Sequence, residues 1–359
     1  MKLHRAFRVG ILSSLLLVGC ASSKEPAKTA LDPNQKTRRD FLAMIDRPRV
    51  ELAAEVQPLT DADGLSRFHF VYSSDANNRV PGLLYAKPEI LKDGHRHPVV
   101  IVAHGTNGKK DDYSALLTEL AQKDFIAVAI DGRYHGERGK PADYNAAIAQ
   151  AFTDGKSHPL YYDTVWDMQR LLDYLDTRSD VDPQRIGMIG FSKGGIETWM
   201  TAAIDDRIAV AVPTISGHAF EWALRHDAWH ARVATVQKQF DAAAKSVGVN
   251  QPDEKFVEQF YDRVIPGIHG EFDCPNMLPL ITPRPLMLIN GDKDPNNPLP
   301  GVLICQKAGT EAYAAANAGD HFKSIIEENT PHKVNKSARE EAVVWFEKWL
   351  KNEPTTREN

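Results

Sequence analysis

The chain has 359 residues and a formal net charge of −5, from 43 Lys and Arg against 48 Asp and Glu. No basic cluster survives beyond the first residues, which argues against nucleic-acid binding. Three cysteines without a C-x-x-C pair argue against zinc-site or thiol-redox chemistry, and the length suits one large α/β domain.

At the N-terminus, Lys2, His4, Arg5 and Arg8 form a basic region and Ile11 to Val18 a short apolar core. That core is about ten residues long, half of the roughly twenty needed to span a bilayer. Leu17-Val18-Gly19-Cys20 has the form of a lipobox, and the segment resembles the signal of bacterial lipoproteins. The resemblance implies cleavage of residues 1–19 and lipidation of Cys20. The chain would then be tethered to the cell envelope by acyl groups rather than inserted in a membrane. Ala21 and Ser22 favour the outer-membrane or periplasmic side, since nothing acidic follows the cysteine. Residues 20–40 are polar and low in aromatics, the composition of a disordered tether. This leaves 41–359 for the folded domain.

Short apolar runs then alternate with amphipathic stretches, the pattern of a mostly parallel sheet covered by helices. Arg67 to Tyr72 and Val80 to Tyr85 read as an antiparallel leading edge. Val99 to Ala103, Phe125 to Ile130, Ile186 to Ile189, Val210 to Ile215 and Leu286 to Ile289 are continuous apolar runs, as strands buried on both faces should be. Ser324 to Ile326 is a weaker last member. Val165, Met168, Leu172 and Leu175 lie at helical spacing, and Ser337 with Glu340 forms a capping box before a final helix.

Between Ile215 and Pro285 the rhythm breaks for about seventy residues, far more than an ordinary connection. Helical patterns over 220–245 and 255–264, with Trp222 and Trp229, read as a cap inserted after the sixth strand, spanning about 217–280. Cys274 and Cys305 flank the strand at Leu286, and they either pair as a disulfide or stay as two buried thiols.

Gly190-Phe191-Ser192-Lys193-Gly194 follows the run Ile186 to Ile189. G-x-S-x-G between a strand and a helix builds a nucleophile elbow, where small residues permit a turn tight enough to expose the serine Oγ. A serine needs a base to take its proton, and the base needs a carboxylate to hold its tautomer. These follow in the order Ser, Asp or Glu, His, each at a strand's carboxyl end. Asp294 and Asp292 both follow the strand at Leu286. Asp294 lies farther out, with Pro295 fixing the backbone, and is the expected acid; Asp292 is expected to shape the turn. His332 falls between the last strand and the last helix, whereas His321 precedes the strand, at the wrong end of the sheet.

An oxyanion hole needs two converging N–H groups. Lys193, directly after the nucleophile, is expected to supply one, and Thr106, in the loop His104-Gly105-Thr106-Asn107-Gly108, the other. Asp131 and Arg133 are expected to brace the elbow loops as an ion pair. His218 and Trp222 are candidate pocket residues beneath the cap.

Together, His104-Gly105 with Gly108, Asp131-Gly132-Arg133 with His135-Gly136, Gly190 to Gly195, Pro283-Arg284-Pro285 leading to Gly291 and Asp294, and His332 resemble the α/β-hydrolase superfamily. Within it, the similarity is to the branch of dienelactone hydrolases, acetyl xylan esterases and prolyl oligopeptidases. The resemblance implies an α/β-hydrolase fold with a mostly parallel eight-stranded sheet. It also implies an acyl-enzyme mechanism with no metal or organic cofactor. The expected activity is a carboxylesterase on small-acyl esters, acetylated carbohydrate among them, with membrane contact only through the lipid anchor. A prolyl-oligopeptidase-type peptidase shares every one of these residues, but residues 39–98 are too few for that family's propeller. A binding lipoprotein without catalysis is the other alternative, against which the intact set of three stands.

Overall fold

Runs that are apolar at every position need cover on both faces. The computed structural model, which describes residues 32–351 and Met1, shows how they obtain it. The strands are β1 (Glu55–Pro58), β2 (Ser66–Asp75), β3 (Asn78–Ala86), β4 (His97–Ala103), β5 (Ile126–Ile130), β6 (Val181–Phe191), β7 (Ile208–Thr214), β8 (Leu286–Gly291) and β9 (Phe322–Glu327). They form one nine-stranded sheet in the order β1-β2-β3-β5-β4-β6-β7-β8-β9. Pairing is antiparallel from β1 through β3 to β5 and parallel from β5 to β9. Along β4, Val99, Ile101 and Ala103 face one core while Val100 and Val102 face the other, as the two-residue period of a strand requires.

Two expectations about the sheet and the N-terminal segment need correcting. The sheet has nine strands, not eight, because Glu55-Val56-Gln57-Pro58 adds an edge strand whose residues are all exposed and carry no apolar pattern. The tether does not reach residue 40 either, since helix α1 spans Pro33–Ile45. Its first turns are polar because they are held by ion pairs, Lys36 with Glu271 and Arg38 with Asp206. Its last turns bury Phe41 edge-on to Tyr162 and Phe272. The signal segment from residue 2, Cys20 and the start of the tether lie outside the described residues. Among the described residues no helix is long and apolar enough to cross a membrane.

The remaining helices are α2 (Ser114–Gln122), α3 (Pro141–Asp154), α4 (Tyr162–Asp176), α5 (Lys193–Ile204), α6 (Phe220–Arg225), α7 (His230–Ala234), α8 (Gln237–Ser246), α9 (Glu254–Val264), α10 (Cys274–Met277), α11 (Leu299–Ala315) and α12 (Lys336–Leu350). The last begins after Asn335, so Ser337 lies inside its first turn and makes no cap. Asn335 instead donates its N–H to Glu327 and its amide to the Thr330 hydroxyl. Cys274 and Cys305 are both buried free thiols.

The insertion after β7 is helical, but its first half is three short helices rather than one long run. Asp227, with φ +53°, ends α6, and the chain turns again before α7 and α8. The insertion packs on α3, a second excursion between β5 and α4, with Phe152 against Phe256 and Phe260. Asp273 staples its two ends together. This carboxylate accepts N–H bonds from Phe220 and Glu221 at the start of α6 and from Cys274 at the start of α10.

Candidate active site

The turn from β6 into α5 is as tight as its glycines suggest. A Cβ on Gly190 would lie 2.1 Å from the Gly194 carbonyl oxygen, and one on Gly194 would lie 2.3 Å from that of Ala103. Between them Ser192 adopts φ +55° and ψ −113°, a left-handed conformation costly for a residue with a side chain. Its N–H donates to the Thr214 carbonyl at 3.0 Å, so β7 holds the strained turn in place.

His332 arrives on the loop between β9 and α12. Its Nε2 lies 2.8 Å from Ser192 Oγ and its Nδ1 2.7 Å from Asp294 Oδ2. An ionised Asp294 only accepts, so Nδ1 carries the ring proton and the Nε2 lone pair faces the serine hydroxyl. Burial works against ionisation of Asp294. Bonds from His332, the Asn297 amide and the Asn296 N–H outweigh it and hold the carboxyl below its ordinary range. Among the described residues, Asp292 makes no hydrogen bond to His332. Its Oδ1 accepts from the Thr330 N–H at 3.0 Å, which pins the loop that carries the histidine. His321 sits at the opposite end of β9, bonded to the Pro283 carbonyl.

Thr106 lines the same cleft as Ser192 and His332. Its loop is anchored at the far end by Lys110, whose N–H and Nζ each lie 2.9 Å from the carboxylate of Asp131. His104 is fixed as a neutral ring: Nδ1 donates to the Gly105 carbonyl and Nε2 accepts from the Gly132 N–H, both at 2.8 Å. Burial, with the nearby charge of Lys193, lowers its pKa to about 3. Lys193 starts α5 immediately after Ser192. Its side chain turns inward to a buried ion pair with Glu197, whose carboxyl burial pushes up to about 7 against the pull of that lysine.

Three expectations fail on geometry. Asp131 and Arg133 do not pair with each other: Asp131 holds Lys110, while Arg133 bonds Asp167 and Asp75. His218 is buried with its ring 4.3 Å from Phe220, and so packs inside the cap rather than lining the cleft. Trp222 stacks on the exposed His226 at 4.4 Å and also lies off the cleft.

The cleft around Ser192 encloses about 470 Å³ and is lined by Tyr113, Phe191, Ile215, Thr235, Asn296 and Lys333 among others. That is the size of a small-molecule site. Sequence reasoning missed Asn297, which is fully buried and donates to both Asp294 and the Ile215 carbonyl; the run Asp294-Pro295-Asn296-Asn297-Pro298 was the available signal. Among the described residues, no group of three or more His, Cys, Asp or Glu is placed to hold a metal ion.

Residues 94–317 match the family described as glucuronyl esterase, fungi. The Bacillus subtilis protein YtaP, described as a hydrolase, is 28% identical over 266 residues, covering 70% of this chain and 79% of that one. YitV of the same organism, described as an esterase, is 26% identical over 279 residues, 76% of this chain and 98% of that one. Among solved structures, the acetyl xylan esterase from Paenibacillus sp. R4 superposes with a TM-score of 0.65 at 20% identity, covering 91% of this chain and 97% of that one. At that identity the likeness speaks for the fold, an α/β-hydrolase sheet flanked by helices.

Proposed function

The chain belongs to the glucuronyl esterase family, and from that premise we propose that it is a serine esterase that cleaves carbohydrate esters through an acyl-enzyme. The observation that carries this reading is the continuous relay from Ser192 through His332 to Asp294 at the floor of the cleft. His332 Nε2 takes the hydroxyl proton as Ser192 Oγ attacks the ester carbonyl. The N–H groups of Lys193 and Thr106 receive the developing oxyanion, and the N-terminal dipole of α5 adds to the first. His332 then protonates the leaving alkoxide, and a water activated by the same nitrogen releases the acid. Asp294, held ionised by its donors, orients the ring and balances its charge while it is protonated.

The cleft is mixed, with the hydrogen-bonding groups of Thr106, Asn107, Thr235 and Asn296 beside the apolar Phe191, Ile215 and Val334, and its volume of about 470 Å³ suits a small acyl group or a sugar ring more than a long acyl chain. A panel of 4-nitrophenyl acetate and octanoate, acetylated xylan, the methyl ester of glucuronic acid and an aminoacyl anilide tests the reading. Sugar esters and the acetate should turn over, while the octanoate and anilide should not. Ser192→Ala should remove turnover by about 10⁴-fold or more with folding intact. Anilide cleavage at rates matching the esters would overturn the assignment.

A further inference from the structure

Arg232, on α7 of the cap, is a buried guanidinium, 4% exposed, with no carboxylate partner among the described residues. A buried cation without an anion is costly to keep. One of its nitrogens reaches the acid loop: Nη2 lies 2.7 Å from Asn297 Oδ1 and 2.9 Å from the Asn296 carbonyl, while the guanidinium also bonds Tyr161 and Nε has no hydrogen-bond partner among the described residues. The guanidinium carbon also lies 5.5 Å from the centre of the Phe220 ring.

The bond to Asn297 matters because a primary amide has two unlike ends. Asn297 Nδ2 donates to Asp294 Oδ2 at 2.6 Å and to the Ile215 carbonyl at 2.8 Å, and its Oδ1 faces Arg232. Flipped by 180°, the amide would set its oxygen against the Asp294 carboxylate and its N–H groups against the guanidinium. Arg232 therefore makes one orientation of Asn297 strongly preferred. Ile215, whose carbonyl that amide holds, is a β-branched residue at φ +45° on the cleft wall, a conformation that persists only when its surroundings impose it.

We propose that Arg232 is a positioning residue for ester hydrolysis. Acting through Asn297, it holds the Asp294 carboxylate and the strained Ile215 wall in their working arrangement, so that the relay depends on the seating of the cap. This rests on the esterase reading above.

The test is a double-mutant cycle on the full chain, with 4-nitrophenyl acetate as substrate. Arg232→Met should lower kcat roughly tenfold to a hundredfold, by analogy with the cost of losing the outer partner of a metal ligand, with KM changed less than about twofold. In an Asn297→Ala background the same substitution should cost no further kcat, because the residue through which Arg232 acts is already gone. An unchanged kcat, a loss carried by KM, or a fully additive loss in the double variant would each overturn the proposal. If Arg232→Met does not fold, Arg232→Gln in the same cycle is read by the same criteria. A wild-type chain inert to every ester would count against the proposed function instead. The cycle is then read on the rate at which a fluorophosphonate labels Ser192, which reports nucleophile activation without a substrate.

Discussion

Asp294→Asn separates orientation from packing more cleanly than any other single change at this site, because it replaces one oxygen with an amino group of nearly equal size. Asp294 receives four donors: His332 Nδ1 at 2.7 Å and Asn297 Nδ2 at 2.6 Å on Oδ2, and the N–H groups of Asn296 at 2.8 Å and Asn297 at 3.3 Å on Oδ1. An asparagine has one oxygen for these four. Facing that oxygen to the two backbone N–H groups leaves its NH₂ against His332, whose Nδ1 must then accept. The ring proton moves to Nε2, which points at Ser192 Oγ from 2.8 Å and can no longer take the serine's proton. Trapping the wrong tautomer in this way costs about 10⁴-fold in kcat in serine hydrolases, or about 5.5 kcal/mol at 1.36 kcal/mol per decade. Asp292→Asn keeps an oxygen for the Thr330 N–H, so its loss should stay within about tenfold, the range of a modest loop perturbation. Steady-state hydrolysis of 4-nitrophenyl acetate at pH 7.5, with unfolding midpoints as controls, measures both. If Asp292→Asn is the more damaging, or Asp294→Asn keeps more than about a hundredth of wild-type kcat, the acid has been misassigned.

Two further outcomes concern the frame around the site. His104 stays neutral when folded, with its pKa pulled from 6.5 to about 3 by burial and the charge of Lys193, so below pH 6.5 the unfolded chain binds a proton that the native one does not. Stability on this account is complete above pH 6.5 and falls as the pH drops toward 3, by about 2 kcal/mol at pH 5. The difference in unfolding free energy between pH 7 and pH 5 should therefore shrink by about that much in His104→Gln, and an unchanged difference would contradict the neutral, doubly bonded ring. Asp273→Ala should cost about 3 kcal/mol in urea unfolding, since it strands two buried N–H groups and a half-buried one that close the cap insertion; a loss under about 1 kcal/mol would mean the staple holds nothing.

What was legible in the sequence was whatever depends on period and order. The two-faced burial of β4 to β8 shows as unbroken apolar runs, and strand-end chemistry shows as Ser192, then Asp294, then His332. Elements without such a signature went unread. β1 is exposed at every position, so nothing in it alternates. α1 hides its first turns behind ion pairs to residues more than 150 positions away, such as Arg38 with Asp206, and looks like solvated chain. His218 was placed by its distance after β7, but it is buried against Phe220; no local pattern distinguishes a cleft wall from a cap core. Asn297 and Arg232 were invisible for a different reason. Their roles lie in a bond between segments 65 residues apart, and hydrogen bonding between distant loops leaves no periodic trace.

The two halves of the site are consequently less separable than the sequence suggests. Ser192, Asp294 and His332 all stand beyond strand ends of the sheet, and Asp294 is held by two backbone N–H groups and by the side chains of His332 and Asn297. On that division, substrate choice would belong to the cap, free to vary. Yet α7 and its C-terminal residue contribute Ala234 and Thr235 to the cleft wall, while one turn away Arg232 grips the loop that carries the acid. A helix of five residues cannot move its wall side without moving its anchor side. Any change that reshapes the cleft by shifting α7 must therefore also disturb Asn297 and, through it, the carboxylate that sets the tautomer of His332. On the proposed function, specificity and rate would be coupled through that one helix: cap substitutions that leave α7 in place should alter KM alone, and those that displace it should lower kcat as well.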